Sequence, residues 1–450
     1  MKAGKKIYVE SLGCSKNLVD SENMIGILSK KGYKVTEYAD KADYIIINTC
    51  SFINEAKEES INTILSAAQI KNERLGKRGG KIIVTGCLAQ RYSEDLKQEI
   101  PEIDIIIGTN SFEKIDEFIE KYERENNIVC DTNIGNEIPE DLPRHSLTPD
   151  YYAYLKIAEG CDNNCTYCVI PQLRGKYKSR KIENIVEETK ELAAKGVKEI
   201  IVIAQDTSKY GIDLYGERKL HEVIQKISKI ESIKWIRIHY LYPEDIYDEL
   251  INEFKTNEKL VKYFDIPLQH INDRILKRMN RNTNKNQIIN LITKIKAEVE
   301  GAVIRTSLIT GFPGETDEEH EELKRFLKDS KLDRVGIFKY SREENTPAYK
   351  LPNQIDDEVK DLRYDELMEI QMLISSENNY RNIGKIFDVL IEEKDAENIY
   401  VGRTYMDSVE IDGCVYVTSD KELNIGDFYK VKINDALEYD LIGGIVYGMV

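Results

Sequence analysis

Short apolar runs alternate with longer amphipathic stretches in the first part of the chain. The runs occupy residues 6–9, 44–47, 81–84 and 103–107. Strands that alternate with helical patterns are typical of strand–helix units and a parallel sheet. The pattern therefore predicts an N-terminal parallel α/β domain over residues 1–140, and prolines between residues 131 and 150 indicate a linker at its end.

A second and longer alternating series follows the linker. Its apolar runs lie at residues 154–158, 199–204, 235–239, 263–266, 303–309 and 335–340. Six such units predict an incomplete (βα)6 barrel over residues 141–378, in which functional side chains are expected at the carboxyl ends of the strands. A highly charged helical stretch from residue 356 to residue 382 leads out of the barrel.

The last segment has a different pattern. Residues 387–391, 413–417 and 428–432 have the composition of short strands and are separated by glycines. Short strands with regular turn signals are typical of small all-β domains. Residues 379–450 are therefore predicted to form a small all-β barrel, and the fold class of the whole chain is α/β with this β domain at its end.

Composition narrows the class of protein. The 450 residues carry a formal net charge of −16, which argues against a general polyanion-binding surface because such surfaces are basic. No apolar stretch reaches the length of a membrane span, and residues 1–12 run into a strand without a secretion signal. Cysteines grouped as metal ligands rather than as a disulfide framework favour a cytoplasmic location.

Three cysteines lie close together after the first strand of the second series. Cys161, Cys165 and Cys168 form a C-x3-C-x2-C pattern. Three thiolates can bind three irons of a four-iron cluster and leave the fourth iron open to another ligand. The alternative is structural zinc, which normally takes four Cys or His ligands, and no His or further Cys lies between Cys168 and His221. The pattern favours an iron–sulfur cluster.

A second triplet is dispersed through the first domain. Cys14, Cys50 and Cys87 each follow an apolar run, and the two stretches of chain between them are almost equally long. That length suits one strand and its crossover helix, so the three thiols are predicted at the carboxyl edge of adjacent parallel strands, where open α/β sheets bind ligands. The alternative, three unconnected buried cysteines, would not explain the matched positions. A second three-thiolate iron–sulfur site is favoured.

The order of these features resembles the methylthiotransferase family of radical S-adenosylmethionine (SAM) enzymes. A three-cysteine α/β domain, a C-x3-C-x2-C barrel and a terminal β domain similar to the TRAM domain of that family cover essentially the whole chain. The resemblance implies two 4Fe-4S clusters as cofactors, with SAM chelated by the open iron at the C-x3-C-x2-C cysteines. It further implies that the cluster at Cys14, Cys50 and Cys87 carries the sulfur that is transferred.

Within the family the chain resembles the RimO type, which methylthiolates the β-carbon of an aspartate in small-subunit ribosomal protein S12. The similar segments are GCSKNLVDSE at residues 13–22, AQDTSKYG at 204–211, PLQH at 267–270 and RTYMDSVEIDG at 403–413. The tRNA-modifying MiaB type usually has Met-Asn where this chain has Lys-Asn at 16–17, and Gln-Ser where it has Gln-His at 269–270. Residues 408–409, Ser-Val, depart from the usual Ala-Pro of the RimO type. The resemblance implies an enzyme that uses two SAM molecules, a sulfur donor and an electron donor such as flavodoxin or ferredoxin.

The resemblance also implies roles for residues at the strand ends. Contacts to SAM are expected from Gln205, Asp206, Arg237, Ser307 and Gly311, and contacts to the substrate from Gln269, His270 and Arg403. Ordinary alternatives stay open: a strand cap for Gln205 and Asp206, a buried ion pair for Arg237, and a core position for His270. Cys130 and Cys414 lie outside both triplets and are expected to be small buried thiols.

Charge in the terminal domain separates two candidate substrates. Residues 381–450 contain 7 Lys and Arg against 14 Asp and Glu, a net charge of −7. Phosphate binding relies on cationic side chains, whereas ribosomal proteins are strongly basic and suit an acidic module; a merely solvated acidic surface is the alternative. The sequence favours a protein substrate. A tRNA adenosine 2-methylthiotransferase is the second candidate, and a non-catalytic iron–sulfur or zinc RNA-binding protein is the third.

Overall fold

Three main sheets follow one another along the chain. The computed structural model describes residues 4–73, 80–135 and 138–447. It contains two open six-stranded parallel sheets and then a closed β-barrel. The predicted fold class is confirmed. No helix within the described ranges is long and apolar enough to cross a membrane.

The first sheet has the spatial order β2-β1-β3-β4-β5-β6. Its strands are β1 (Lys6–Ser11), β2 (Lys34–Val35), β3 (Tyr44–Thr49), β4 (Lys81–Gly86), β5 (Ile103–Ile107) and β6 (Val129–Asp131). The helices are α1 (Ser15–Lys30), α2 (Asn54–Glu73), α3 (Cys87–Arg91), α4 (Ser93–Glu99) and α5 (Ile115–Glu125). Strands β3 and β5 are buried throughout because apolar clusters cover both faces of the sheet, and this explains their continuous apolar runs.

Two features of this domain differ from expectation. Strands β2 and β6 are present in addition to the four predicted ones, and both are too short to give an apolar run. Cys130, expected to be buried, is exposed on β6, because β6 is the edge strand of the sheet.

The second sheet forms the predicted incomplete barrel, with the order β14-β13-β12-β11-β10-β7. Its strands are β7 (Tyr152–Lys156), β10 (Glu199–Ile203), β11 (Trp235–Ile238), β12 (Leu260–Asp265), β13 (Val303–Thr310) and β14 (Arg334–Lys339); β8 (Ala158–Glu159) and β9 (Lys178–Ser179) form a separate pair. The helices are α6 (Ile170–Arg174), α7 (Ile182–Ala194), α8 (Ile212–Tyr215), α9 (Leu220–Ile227), α10 (Asp248–Thr256), α11 (Asp273–Arg278), α12 (Lys285–Glu298) and α13 (Asp317–Ser330).

The inner face of this barrel, here called the lumen, is rich in charged side chains. Strand residues that alternate with them, such as Val202 and Ile238, pack outward in the main apolar cluster with the surrounding helices. The lumen side of the same strands carries Lys156, Glu199, Arg237, His239, Asp265, Arg305 and Arg334. Buried charges require partners. The charged side chains of the lumen must therefore find some of their partners in the elements that close its two ends.

A long helix leads from the barrel to the C-terminal domain. Helix α14 (Asp357–Tyr380) packs along β14. It is followed by a closed barrel of β15 (Ile386–Ala396), β16 (Ile399–Arg403), β17 (Val415–Thr418), β18 (Phe428–Ala436) and β19 (Leu441–Ile445), in the order β15-β16-β17-β19-β18. Closure pairs every strand on both sides and leaves no free sheet edge. The predicted small all-β barrel is confirmed, and Cys414 is half-buried beside it.

The C-terminal barrel closes the lumen at the amino ends of its strands. Arg403 donates hydrogen bonds to Glu199 (2.7 Å) and to Glu392 (2.8 Å). Arg334 donates to Asp407 (2.7 Å), and Arg237 donates to the carbonyl of Tyr405 (2.9 Å). Glu199, Arg237, Arg334, Arg403 and Asp407 are buried, so the lumen charges at this end are paired across the domain boundary. Only the carboxyl ends of the strands remain for ligands.

We expect the Glu199→Gln variant to lose about 3 to 5 kcal/mol of unfolding free energy at pH 7, because Arg237 and Arg403 would lose their buried counter-charge. Burial alone would raise the pKa of Glu199, but Arg403 and Arg237 outweigh it and lower the pKa to about 2 from 4.5. The stabilisation is therefore complete above pH 4.5 and disappears as the pH falls towards 2. Anaerobic urea unfolding followed by circular dichroism measures both effects.

The matched control is Glu187→Gln, because Glu187 pairs with Lys190 at 2.9 Å on the surface. Exposed pairs contribute less than about 1 kcal/mol. Equal losses of unfolding free energy in the two variants, or a loss in Glu199→Gln that does not become smaller in acid, would contradict the role of Glu199 as the buried counter-charge of Arg237 and Arg403.

Candidate functional site

The three cysteines of the first domain lie at one edge of its sheet. Cys14 follows β1 and caps α1, Cys50 follows β3, and Cys87 follows β4 and begins α3. Strands β1, β3 and β4 are neighbours, so all three thiols lie at adjacent carboxyl ends. Gly13 has φ +85°, and a Cβ there would lie 2.7 Å from Cβ of Cys50. A glycine at this position allows the Cys14 loop to approach Cys50 closely.

These three thiols influence one another. Burial raises the pKa of Cys87 to about 12; the nearby Cys14 and Cys50 add to the rise and Arg174 opposes it. Burial also raises the pKa of Cys50, again with a contribution from Cys14. Thiols in such surroundings ionise when a cation binds them. The group is therefore suited to a metal centre and not to use as a free thiolate.

The second triplet lies in the loop between β8 and α6. Cys161 and Cys165 are buried and Cys168 is half-buried. Burial raises the pKa of Cys161 to about 11, and burial together with the nearby Cys165 raises that of Cys168 to about 12. Gly160 has φ +80°, and a Cβ there would lie 2.1 Å from the carbonyl oxygen of Lys176, so only glycine allows this entry to the loop.

An arginine that the sequence did not single out faces this triplet. Nη1 of Arg281 lies 3.8 Å from Sγ of Cys165, and Nη2 donates to the carbonyl of Pro267 (3.0 Å). The guanidinium carbon lies 4.4 Å from the ring centroid of Tyr242. Each triplet thus has one buried arginine beside it, Arg174 for the first and Arg281 for the second, which favours the negative charge of metal-bound thiolates.

The donor sets suit iron–sulfur clusters better than single ions. Zinc requires ligands that converge on one point at about 2.3 Å. Within residues 4–73, 80–135 and 138–447, no group of three His, Cys, Asp or Glu side chains is arranged to bind a single metal ion. A four-iron cluster is larger, and its thiolate ligands lie farther apart than those of one ion. Two sets of three thiols with a cation beside each therefore fit two such clusters.

Helix α6 connects the two triplets. It starts two residues after Cys168, and the side chains of Val169 and Leu173 pack on Cys87. Thr109, after β5 of the first domain, donates a hydrogen bond to the carbonyl of Leu173 (2.6 Å). The same short segment therefore contacts both cysteine sites.

Arg174, the last residue of α6, is the centre of a buried polar network. Its guanidinium donates to Glu159 (2.9 Å), to Asp20 (3.2 Å) and to Oδ1 of Asn17 (2.6 Å). Lys156 also donates to Glu159 (2.8 Å) and to Asp20. Burial raises the pKa of Glu159 but Arg174 and Lys156 outweigh it and hold the pKa well below its usual range. Two cations and two carboxylates thus join α1 of the first domain to the barrel.

Gln205 and Asp206 both lie at the cysteine loop. Gln205 donates to Glu159 (2.5 Å), and its own Oε1 is buried without a hydrogen-bond partner. Asp206 accepts from Asn163 of the loop (2.8 Å) and from Ser208 (2.7 Å), and burial raises its pKa to about 6. Asp206 therefore anchors the loop, while Gln205 offers a free acceptor at the carboxyl end of the lumen.

Ser307, Gly311 and Gln269 lie along one side of the same opening. Ser307 is half-buried on the lumen face of β13, and its carbonyl accepts from the backbone N–H of Gln269 (2.8 Å). Gln269 has φ +71°, an uncommon value for a side-chain-bearing residue. Gly311 also has positive φ, and a Cβ there would lie 2.4 Å from Cγ of Lys360. The packing of Lys360 is sufficient to explain this glycine.

Three other predicted contact residues are occupied by buried contacts within the protein. Arg237 and Arg403 lie in the ion-pair network with Glu199 at the closed end, so the buried-ion-pair alternative describes Arg237. His270 is fully buried, accepts a hydrogen bond from the N–H of Asn272 (3.0 Å) and lies 3.4 Å from Glu315. His270 is thus a core residue with satisfied ring nitrogens.

Comparison with known proteins gives a consistent family. The uncharacterized protein family UPF0004 matches residues 6–108, the radical SAM superfamily matches residues 155–327, and the TRAM domain matches residues 383–446. The fold is similar to radical SAM methyltransferase TsrM from Kitasatospora setae, with a TM-score of 0.56, 13% identity and coverage of 77% of each chain. It is also similar to cobalamin-dependent radical SAM enzyme OxsB, with a TM-score of 0.54, 15% identity and coverage of 83% of this chain and 56% of the other.

Relatives over the full length are much more similar. The ribosomal protein uS12 methylthiotransferase RimO of Clostridioides difficile (strain 630) is 54% identical over 98% of this chain and 99% of its own. The protein of the same name from Thermoanaerobacter sp. (strain X514) is 51% identical over the same shares. With this identity along nearly all of its length, the chain belongs to the RimO family of radical-SAM methylthiotransferases.

Proposed function

We propose that the protein methylthiolates the β-carbon of an aspartate in ribosomal protein uS12, using two molecules of SAM and a sulfur donor. The observation that carries this proposal is the contact of α6 with both cysteine triplets, which brings Cys87 and the C-x3-C-x2-C loop to the open end of one lumen. Radical chemistry requires close positioning of the reacting groups and exclusion of water. A lumen closed at one end, with a cysteine-bearing sheet edge beside its other end, meets both requirements.

The cysteines have separate roles in this proposal. We assign Cys161, Cys165 and Cys168 to the cluster that binds and cleaves SAM, and Cys14, Cys50 and Cys87 to the cluster that carries sulfur. When bound, the first cluster supplies the electron that generates a deoxyadenosyl radical, and the second supplies the sulfur that is methylated and transferred. The reductant is expected to be a small cytoplasmic electron carrier such as flavodoxin or ferredoxin.

Residues around the open end position the ligands. Oε1 of Gln205 is a free buried acceptor suited to the amino group of SAM, and Ser307 faces the same space from β13. Arg174 fixes α1 against the barrel, and Asp206 fixes the cysteine loop through Asn163. Pre-formed bonds of this kind hold reacting groups in place without cost at the moment of reaction.

The charge of the C-terminal barrel supports a protein substrate over tRNA. Two of its few cations are neutralised: Arg403 by Glu199 and Glu392, and Lys430 by Asp388 at 2.9 Å. Phosphate binding depends on free Lys and Arg side chains. A basic ribosomal protein is attracted by the remaining acidic surface.

Metal content tests the two-cluster assignment. After anaerobic reconstitution we expect about eight irons per chain, and about half of that when either cysteine triplet is replaced by alanine. Iron analysis and the visible absorption spectrum measure this. Stoichiometric zinc in protein purified without oxygen, or unchanged iron in either triple variant, would overturn the assignment.

Two single variants separate the roles of the clusters. Cys165→Ala should abolish formation of 5′-deoxyadenosine under dithionite, because SAM cleavage requires the cluster at that triplet. Cys50→Ala should retain SAM cleavage and transfer no methylthio group. Cys414→Ala is the control for loss of a thiol outside both triplets. Deoxyadenosine production by Cys165→Ala would show that the two sites are assigned the wrong way round.

Deletion of the gene in its host identifies the substrate. We expect uS12 to lose about 46 Da, the difference between hydrogen and a methylthio group on one aspartate. Mass spectrometry of ribosomal proteins and nucleoside analysis of tRNA are run on the same cells. Loss of methylthiolated adenosine from tRNA with uS12 unchanged would instead identify a tRNA-modifying enzyme.

A further inference from the structure

A buried lysine next to the first cysteine lacks the partners that other buried cations have. Lys16, the second residue of α1, has 6% of its surface exposed. Its Nζ lies 3.3 Å from the ring centroid of Tyr240, and this atom makes no hydrogen bond or ion pair with any residue in the described ranges. Lys156, equally buried, is paired with both Asp20 and Glu159. An aromatic ring compensates only part of the cost of burying an ammonium group.

Tyr240 is held in an unusual conformation below this ammonium. It directly follows His239 at the carboxyl end of β11 and has φ +63°. Its N–H donates to Asp265 (3.0 Å), and its carbonyl accepts from the N–H of Thr207 (3.1 Å). A left-handed backbone costs a tyrosine on the order of 1 kcal/mol or more. The bonds on both sides maintain it and keep the ring at the mouth of the lumen.

The charge of Lys16 acts inside the lumen. Burial, together with Arg237, Arg305 and Lys16, lowers the pKa of His239 to about 3 despite the nearby Asp265. His239 therefore stays neutral and contributes no positive charge of its own. The ammonium of Lys16 thus contributes positive potential to the lumen alongside Arg237 and Arg305.

The start of α1 adds to this potential. The helix has 16 residues, Cys14 caps it without a side-chain hydrogen bond, and its first turn contains no acidic residue. The N-terminus of a helix carries partial positive charge and unpaired N–H groups. Lys16 and the first turn together form an anion site, whose main element is the ammonium of a lysine that is 6% exposed and has no carboxylate partner within the described ranges.

We propose that Lys16 and the first turn of α1 bind the side-chain carboxylate of the substrate aspartate. This inference rests on the proposed function and names the group that recognises its substrate. The carboxyl carbon of aspartate is bonded directly to the β-carbon that receives the methylthio group, so the carboxylate must lie beside the sulfur donor. Lys16 is two residues from Cys14, which we assign to the sulfur-carrying cluster.

SAM also carries a carboxylate, and the experiment separates the two sources. The variants are Lys16→Met, which keeps the length without the charge, Lys16→Gln, which keeps a polar end, and Lys16→Arg, which keeps the charge. Lys30→Met, at the exposed last turn of the same helix, is the matched control. Substrates are small ribosomal subunits from the deletion strain, with either aspartate or asparagine at the target position.

We expect Lys16→Met and Lys16→Gln to raise KM for the aspartate subunits about tenfold to a hundredfold, the worth of one hydrogen bond to a charged group. The preference for aspartate over asparagine should disappear in both, and Lys16→Arg should recover part of it. Iron content and KM for SAM should match those of the Lys30→Met control.

Four outcomes would overturn the inference. Unchanged KM and unchanged preference for aspartate in both neutral variants would exclude binding by Lys16. A rise in KM for SAM, with lower deoxyadenosine formation in the absence of subunits, would assign the site to the SAM carboxylate. Loss of iron in all three Lys16 variants would assign Lys16 to cluster binding. Wild-type protein inactive on the subunits would overturn the proposed function itself, whereas the first three results would leave it standing.

Discussion

One buried guanidinium joins the two halves of the candidate site. Arg174 comes from the short helix after the C-x3-C-x2-C loop, and its partners come from α1 of the first domain and from the start of the barrel. Burying a charge is costly unless it is fully paired. Since the partners belong to two domains, neither domain alone satisfies this arginine, and the pairing favours one relative placement of the two cysteine triplets.

The same rule operates at the other end of the barrel. Glu199 and Arg237 of the lumen strands pair with each other at 2.8 Å, but Glu199 has a second arginine partner in the C-terminal domain, and Arg334 would lack its carboxylate partner Asp407 in an isolated barrel. The C-terminal domain supplies Arg403 and Asp407 to them. The two parallel sheets and the C-terminal barrel thus carry buried charges that are complementary across their boundaries.

The features read correctly from the sequence are those that depend on local pattern. Apolar runs gave the long strands, and the positions of six cysteines after such runs placed them at the carboxyl edges of the two sheets.

The role of Arg237 could not be predicted from local pattern alone. Alternation along β11 correctly puts its side chain in the lumen, but only the tertiary structure shows which end of the lumen the C-terminal domain occupies. The core position of His270 was also not predictable from local pattern, because it is seen only in the contacts of its ring with Glu315 and Asn272. Arg281 has ordinary sequence surroundings and becomes notable only through its contact with Cys165. Lys16 belongs to a pair that the sequence comparison had noted, but its contact with Tyr240 is visible only in the tertiary structure.

Helix α6 is short, and this limits how the sequence of the site can change during evolution. A helix advances about 1.5 Å and turns about 100° for each residue. One inserted or deleted residue between Cys168 and Arg174 would swing the guanidinium away from Asn17 and Asp20, even though every cysteine stayed in place. The number of residues between Cys168 and Arg174 must therefore match the position of α1 in the other domain. This number is thus constrained by α1, far away in the sequence, and substitutions on the two sides of this boundary must be accepted together.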